Sequence, residues 1–152
     1  MTPQDFIAAL GPAAQAAQAV TKVYASFTIA EAALESGWGA SELAREAFNL
    51  FGVKADKSWK GYTFSLPTKE FIQNQWVTVS ALWRKYTNWQ QCLVDHGNFL
   101  LDNPRYQPAL NTTNVADFTQ AIAAAGYATD PQYSQKIMEI INFHNLTQFD
   151  RT

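Results

Sequence analysis

The chain has 152 residues, of which 47% are hydrophobic, 14% aromatic and 16% charged, with a formal net charge of −2 at pH 7. This composition is typical of a single globular domain over residues 1–152 and excludes an intrinsically disordered chain. The weak negative charge disfavours binding to nucleic acids or anionic membranes, and the lone Cys92 excludes an internal disulfide.

Two helices are predicted before residue 25. Thr2 is a capping residue and Pro3 suits a first helical turn, so a helix is expected to begin here. Gly11 and Pro12 are expected to end that helix and to start a second one, because glycine ends helices and proline prefers the first turn. The second helix is predicted to run to about Tyr24.

The next predicted helix ends beside an acidic residue. Thr28 and Glu31 have the spacing of a capping box, which predicts the start of this helix. The helix should end near Gly37, because glycine is the usual residue just past a helix terminus, and Glu35 then lies in its last turn. A further short helix is predicted over residues 41–47.

The middle of the chain changes to a β pattern. Residues 62–66 and 71–79 are rich in aromatic and β-branched side chains, and residues 73–75 form a candidate turn. We predict a small β-hairpin or a three-stranded sheet. The predicted fold is therefore α+β and mostly helical. Beyond the insert, helices are predicted over about residues 88–101, 114–125 and 131–144.

Glu35 is the candidate catalytic residue. The helix macrodipole disfavours a negative charge at the helix C-terminus, and shielding by Trp38 would raise the pKa of Glu35 further. A carboxyl group that stays protonated near neutral pH can act as a general acid, and Trp38 offers the apolar face that sugar sites use. These features suit cleavage of a glycoside. By position alone, however, a glutamate near a helix end is more often an exposed surface residue.

Several motifs follow one another in a characteristic order over about residues 6–141. The most specific is Ala33-Leu34-Glu35-Ser36-Gly37-Trp38-Gly39. The others include Asn49-Leu50-Phe51-Gly52-Val53-Lys54, Ser58-Trp59-Lys60-Gly61, Pro67-Thr68-Lys69-Glu70, Trp83-Arg84-Lys85-Tyr86, His96, and Ala125-Gly126-Tyr127-Ala128-Thr129-Asp130-Pro131 with Tyr133. This ordered set resembles the glucosaminidase family of peptidoglycan hydrolases, which includes the flagellar rod-cap muramidase domain and several bacterial autolysins.

The resemblance implies a lysozyme-like fold, in which a helical lobe and a small antiparallel β lobe, at about residues 62–79, flank a cleft. By the family pattern Glu35 is the catalytic acid, and Glu70 carries a second carboxylate in the β lobe. Tyr127 matches a family tyrosine that lines the cleft. Sugar contacts are also expected from four aromatic residues, namely Trp38, Phe51, Trp59 and Tyr133.

The roles of the second carboxylate and the tyrosine stay open. Glu70 could instead be an ordinary exposed acid at a strand end, and Tyr127 a core residue with its hydroxyl satisfied. If Glu35 and Glu70 lie about 5 Å apart, a retaining mechanism follows, whereas about 6.5–9.5 Å would allow inversion. In a third route the 2-acetamido group of the substrate attacks its own anomeric carbon, and this substrate-assisted route is the favoured hypothesis.

The activity that the resemblance implies is an endo-β-N-acetylglucosaminidase that cleaves the β-1,4 bond after N-acetylglucosamine in bacterial peptidoglycan. N-acetylmuramidase activity, lytic transglycosylase activity and a catalytically silent glycan-binding module are the alternatives. Transglycosylases usually follow their Glu-Ser pair with a Gly-Leu-Met-Gln-type segment, whereas this chain has Asn49-Leu50-Phe51-Gly52, which favours a glucosaminidase.

No metal or other cofactor is expected. Cys92 and His96 are four residues apart, but two ligands are too few for a zinc site, and their spacing is poor for a nucleophile and its base.

No apolar run reaches the roughly 18–20 residues that span a bilayer, and residues 1–10 lack the pattern of a secretory signal. We expect a monomer made in the cytoplasm that reaches the cell wall by a holin-like or secretion-system route.

Overall fold

The computed structural model describes residues 1–150, which form a helical lobe and a β-hairpin lobe. The first lobe supplies the core, and the hairpin projects from it between the third and fourth helices. The helices are α1 Pro3–Thr21, α2 Ala25–Ser36, α3 Glu42–Ala47, α4 Trp89–Asp102, α5 Gln107–Leu110, α6 Val115–Ala124 and α7 Tyr133–Phe143. The strands are β1 Tyr62–Ile72 and β2 Gln75–Lys85, and short 3₁₀ helices occupy Pro104–Tyr106 and Leu146–Phe149.

Helix α1 is continuous, so the predicted break at Gly11 and Pro12 was wrong. Thr2 caps its start, and the Asp5 side chain completes the capping box. Gly11 is buried, and a Cβ at this position would lie only 2.5 Å from the Phe149 ring. The glycine therefore permits the close approach of the C-terminal 3₁₀ helix. Packing of α1 against α2 and α4 outweighs the local tendency of Pro12 to interrupt a helix.

Helix α2 is the central helix of the lobe and is buried over most of its length. It begins at Ala25, so the predicted start at a Thr28 capping box was wrong. Thr28 and Glu31 instead lie inside the helix and are buried. The Asp150 carboxylate accepts hydrogen bonds from the backbone N–H and the hydroxyl of Ser26, both at 2.7 Å. The cap therefore comes from a residue remote in sequence, which local spacing could not reveal.

The end of α2 agrees with the sequence prediction. Gly37 adopts the left-handed conformation, with φ 59° and ψ 49°, and its N–H donates to the Ala33 carbonyl. Ser41 then caps α3 by accepting a hydrogen bond from the Ala44 N–H at 3.1 Å. Helix α2 therefore ends at Ser36, and Glu35 lies in its last turn.

The β lobe is a two-stranded antiparallel hairpin rather than a three-stranded sheet. Its turn lies at Gln73 and Asn74, which have φ values of 51° and 64°, as a tight hairpin turn requires. Both strands are longer than predicted, because β1 runs through Pro67 and β2 extends to Lys85. Proline is tolerated here because each strand of a two-stranded sheet is an edge strand. Hydrogen bonds from residues 53–55 to β2 attach the hairpin to the rest of the chain.

The remaining helices close the core around α2. Asn88 caps α4, and Asn114 caps α6, so both predicted starts are confirmed to within a residue. Gly97 of α4 packs against Thr21 of α1, where a Cβ would lie 2.7 Å from the Thr21 methyl carbon. Within residues 1–150 no helix combines the length and apolar character needed to cross a bilayer.

Candidate active site

The cleft between the two lobes is the candidate active site. It has a volume of about 420 Å³. The lining residues come from both lobes and from the segment between them: Phe51, Val53, Lys54, Asp56, Arg84, Asp95, His96, Phe99, Tyr106 and Tyr127. A larger concavity of about 710 Å³ lies between α1 and the α5–α6 region, but no carboxylate is among its described lining residues. The interlobe cleft, in contrast, is lined by the carboxylates of Asp56 and Asp95 and by residues of both lobes, which makes it the candidate site.

Glu35 lies in the last turn of α2; it is not among the residues that line the cleft, but it interacts electrostatically with His96 and Tyr127, which do line it. Its side chain is exposed, and no hydrogen bond from another described residue reaches its carboxyl group. The surrounding protein partly removes water and raises the pKa of this carboxyl, and the negative charge of Glu31 raises it further. His96 acts in the opposite direction. The net result is a carboxyl group that holds its proton more tightly than an ordinary glutamate, as a general acid must.

A buried polar cluster supports the end of α2. The Glu31 carboxylate is 0% exposed and lies 2.6 Å from His96 Nε2. The hydroxyl of Tyr133 donates a hydrogen bond to its second oxygen. The hydroxyl of Tyr127 lies 3.0 Å from His96 Nε2, and the nearby Glu31 contributes to the raised pKa of this phenol. Because His96 and Tyr127 line the cleft, this cluster forms part of its wall.

Glu70 lies on the β1 face that is partly shielded by the rest of the protein. Its carboxylate is 3.2 Å from the Lys54 ammonium group, and both side chains are well exposed, at 41% and 54%. Among the charged groups, Glu31 and His96 affect the pKa of Glu35, whereas Glu70 is paired with Lys54. The catalytic role of Glu70 stays a prediction.

The four aromatic residues predicted to contact sugar occupy different surroundings. Phe51 lines the cleft and stacks on the His96 ring, with 3.9 Å between the ring centroids. Trp38 is half-buried between the rings of Phe6 and His144.

The other two aromatic residues are not among the described residues that line the cleft. Trp59 packs against Tyr86 and the Arg84 guanidinium, and its indole N–H donates to the Tyr62 carbonyl at 2.7 Å. Tyr133 is 3% exposed and bonded to Glu31, which leaves little of its surface for a sugar. We therefore retain Phe51 as the sugar contact that the geometry favours and assign Tyr133 to the supporting cluster.

Sequence reasoning missed the role of Glu31, which it treated as a capping residue. One signal was available, because residues 31 and 35 are four apart and share a helix face. Cys92 is fully buried, and burial raises the pKa of its thiol to about 12, so it is not a reactive nucleophile. No group of three His, Cys, Asp or Glu side chains within residues 1–150 could hold a metal ion.

Comparisons with known proteins agree with this geometry. Residues 11–146 match the glucosaminidase family model, which is described as mannosyl-glycoprotein endo-beta-N-acetylglucosaminidase. The chain is 38% identical over 143 residues to the peptidoglycan hydrolase FlgJ of Vibrio parahaemolyticus, covering 91% of this chain and 46% of FlgJ. It is 37% identical over 152 residues to the exo-glucosaminidase LytG of Bacillus subtilis, covering 97% of this chain and 53% of LytG.

A solved structure shares the fold along almost the whole chain. The catalytic domain of the autolysin Auto from Listeria monocytogenes superposes with a TM-score of 0.89 and 32% identity, covering 97% of this chain and 87% of that domain. This match confirms the predicted lysozyme-like arrangement of a helical and a β lobe. The chain spans about half the length of the curated relatives that it matches.

Proposed function

The chain belongs to the glucosaminidase family, and we propose that it hydrolyses the glycan strands of bacterial peptidoglycan with Glu35 as the general acid. The observation that carries this proposal is the carboxyl group of Glu35, which has a raised pKa at the end of α2 and interacts with residues that line an interlobe cleft of about 420 Å³. FlgJ is named a peptidoglycan hydrolase and LytG an exo-glucosaminidase, and both names support the same substrate class.

The bond proposed for cleavage is the β-1,4 bond after N-acetylglucosamine, within the strand. The description of the matching family model, an endo-acting β-N-acetylglucosaminidase, supports this choice. LytG is named an exo-glucosaminidase, so release of sugar units from a chain end is the alternative within the same chemistry. The size distribution of early products distinguishes cuts within a strand from trimming at its end.

The proposed mechanism uses the substrate's own acetamido group. Its carbonyl oxygen attacks the anomeric carbon while Glu35 donates its proton to the departing glycosidic oxygen. Water then adds to the anomeric carbon of the resulting oxazolinium ion, gives a proton to the Glu35 carboxylate and restores the acetamido group. This route needs no protein nucleophile, which accords with a Glu70 carboxylate that is paired with Lys54.

Tyr127 is proposed to orient the acetamido group. Its hydroxyl is held between Glu31 and His96 at the cleft wall. The phenolic oxygen has lone pairs that can accept a hydrogen bond from the acetamido N–H. Such a bond would hold the carbonyl oxygen towards the anomeric carbon.

Mass analysis of digested, purified cell wall tests the proposal. Wild-type protein should generate new reducing-end N-acetylglucosamine, and Glu35→Gln should generate almost none. New reducing-end muramic acid would assign muramidase activity instead, and anhydro-muramic acid would assign lytic transglycosylase activity. A wild-type protein that binds the wall without clearing its turbidity or releasing fragments would be a silent glycan-binding module.

A further inference from the structure

Glu31 is a buried carboxylate that the proposed reaction does not use directly. It lies on α2, four residues before Glu35, so the two side chains lie on the same face of the helix, one turn apart. Glu31 is 0% exposed, whereas Glu35 is exposed at the end of the helix. A carboxylate is costly to bury unless hydrogen bonds compensate for the lost water, so its retention at this position calls for an explanation.

Three side chains converge on this carboxylate from elements that are distant in sequence. His96 on α4 is 65 residues away and approaches to 2.6 Å through Nε2. Tyr133 on α7 is 102 residues away and donates its hydroxyl hydrogen to the other oxygen. The Tyr127 hydroxyl, from the segment between α6 and α7, completes the set. Glu31 thus connects three parts of the helical lobe at the point where the cleft begins.

We propose that the buried Glu31–His96 pair is a positioning device for the active site. Glu31 fixes the hydroxyl of Tyr127 and places a negative charge one turn before the acid Glu35, while His96 offsets part of that charge. This inference rests on the proposed role of Glu35 as the general acid. Neither Glu31 nor His96 contacts the scissile bond in this proposal, so both act through their neighbours.

The electrostatic part of this proposal follows from opposing effects on Glu35. The negative charge of Glu31 makes ionisation of Glu35 less favourable, and His96 makes it more favourable. The negative charge of Glu35 also contributes to the raised pKa of the Tyr127 phenol and of the Tyr133 phenol. The four side chains of the cluster and Glu35 therefore form one interacting group.

The other charged residues of the cleft are engaged with one another. Lys54 pairs with Glu70 at 3.2 Å, and Arg84 pairs with Asp95 at 2.8 Å and with Asp56 at 3.3 Å. Each of these two cations therefore has a carboxylate partner of its own. Burial is the largest cause of the raised pKa of Glu35, and among the charged groups Glu31 and His96 modify it.

The experiment measures pH–rate profiles on a soluble chitooligosaccharide for wild type, Glu31→Gln and His96→Gln. The activity of a general acid falls as pH rises through its pKa, so the basic limb reports on Glu35. Glu31→Gln should move this limb to lower pH, and His96→Gln should move it to higher pH. At pH values above the pKa of Glu35, a displacement of the basic limb by one pH unit changes the rate about tenfold. A purely structural role would lower the rate in both variants without opposite displacements, and that result would overturn the proposal.

Tyr133→Phe is the matched control, because it removes one hydrogen bond to Glu31 without changing the charge of the cluster. The basic limb of its pH–rate profile should lie at the same pH as that of wild type. A displacement as large as that of Glu31→Gln would contradict the electrostatic argument. Glu31→Gln risks unfolding, because it breaks the buried pair with His96. His96→Gln retains an amide donor to Glu31 and carries the test if Glu31→Gln does not fold.

A second readout does not depend on turnover. NMR titration of a ¹³C-labelled Glu35 carboxyl group should show the same opposite displacements in the absence of substrate. Unchanged Glu35 titration in both variants would refute this inference while leaving the proposed function intact. Full activity of Glu35→Gln would refute the proposed function itself, so the two failures are distinguishable.

Discussion

Replacing Glu35 by glutamine should separate catalysis from folding. The amide has the size of the carboxyl group but has no proton that it can readily transfer to the leaving oxygen. General acid catalysis contributes about 10²–10⁴-fold to a rate. Lysis of purified walls should therefore fall by that factor, which corresponds to about 3–5 kcal/mol of lost transition-state stabilisation. Glu35 is exposed and accepts no hydrogen bond from the described residues, so the substitution disturbs no packing.

The stability of the same variant has a defined sign. The raised pKa of Glu35 means that the folded chain binds this proton more tightly than the unfolded chain does. Ionisation of Glu35 therefore reduces stability as pH rises above the ordinary pKa of a glutamate, and glutamine avoids that cost. At pH 7 the variant should be equal to wild type or more stable, within about 0.5 kcal/mol. Well below that ordinary pKa the two proteins should melt together.

A turbidity assay on walls and thermal melts at two pH values provide the measurements. Glu46→Gln, on the exposed face of α3, is the matched control and should retain full activity. The assignment fails if Glu35→Gln keeps more than about a tenth of wild-type activity, given the contribution expected of a general acid. A loss of activity together with a strongly lowered melting temperature would instead indicate a structural role for Glu35.

Three further predictions follow from the geometry. Activity on a soluble chitooligosaccharide should persist above the pH range in which an ordinary glutamate ionises, because the pKa of Glu35 is raised; a rate that already falls at that ordinary pKa would contradict this. Glu70→Gln should lose less activity than Glu35→Gln, and equal activity losses would give Glu70 a direct catalytic role. Its loss of stability should be less than about 1 kcal/mol, because the pair with Lys54 is exposed. Gly37→Ala should lower Tm by roughly 2–4 °C, corresponding to about 1 kcal/mol, because a φ of 59° is strained for alanine. No atom lies within 4 Å of the new Cβ, so a much larger drop in Tm, measured by calorimetry, would contradict this reasoning.

Local signals predicted the parts of the fold that local interactions determine. Gly37 ends α2 because only the left-handed conformation closes the helix there, and Ser41 caps α3 through its own side chain. Gln73 and Asn74 turn the hairpin because both adopt positive φ values. Each of these features depends on residues within a few positions of one another, which is why the sequence pattern was sufficient.

Features that depend on distant residues were missed. The cap of α2 is supplied by Asp150, which lies 124 residues from its partner Ser26. The continuity of α1 through Pro12 depends on packing against other helices rather than on the local sequence. The same limitation affected the site, because Tyr133 was predicted to contact sugar, whereas the fold places its hydroxyl against Glu31. Long-range contacts decide burial, and burial decides what a polar side chain can do.

Two glutamates one helical turn apart therefore have opposite environments. Glu31 lies in the core and is held by side chains from three other segments, whereas Glu35 is exposed at the end of α2. The sequence contains both residues at the spacing of one helix face, but only the fold distinguishes them. Because α2 is buried up to its last turn, the packed core holds the backbone that carries Glu35. A general acid that must meet a glycosidic oxygen within hydrogen-bonding distance benefits directly from that support.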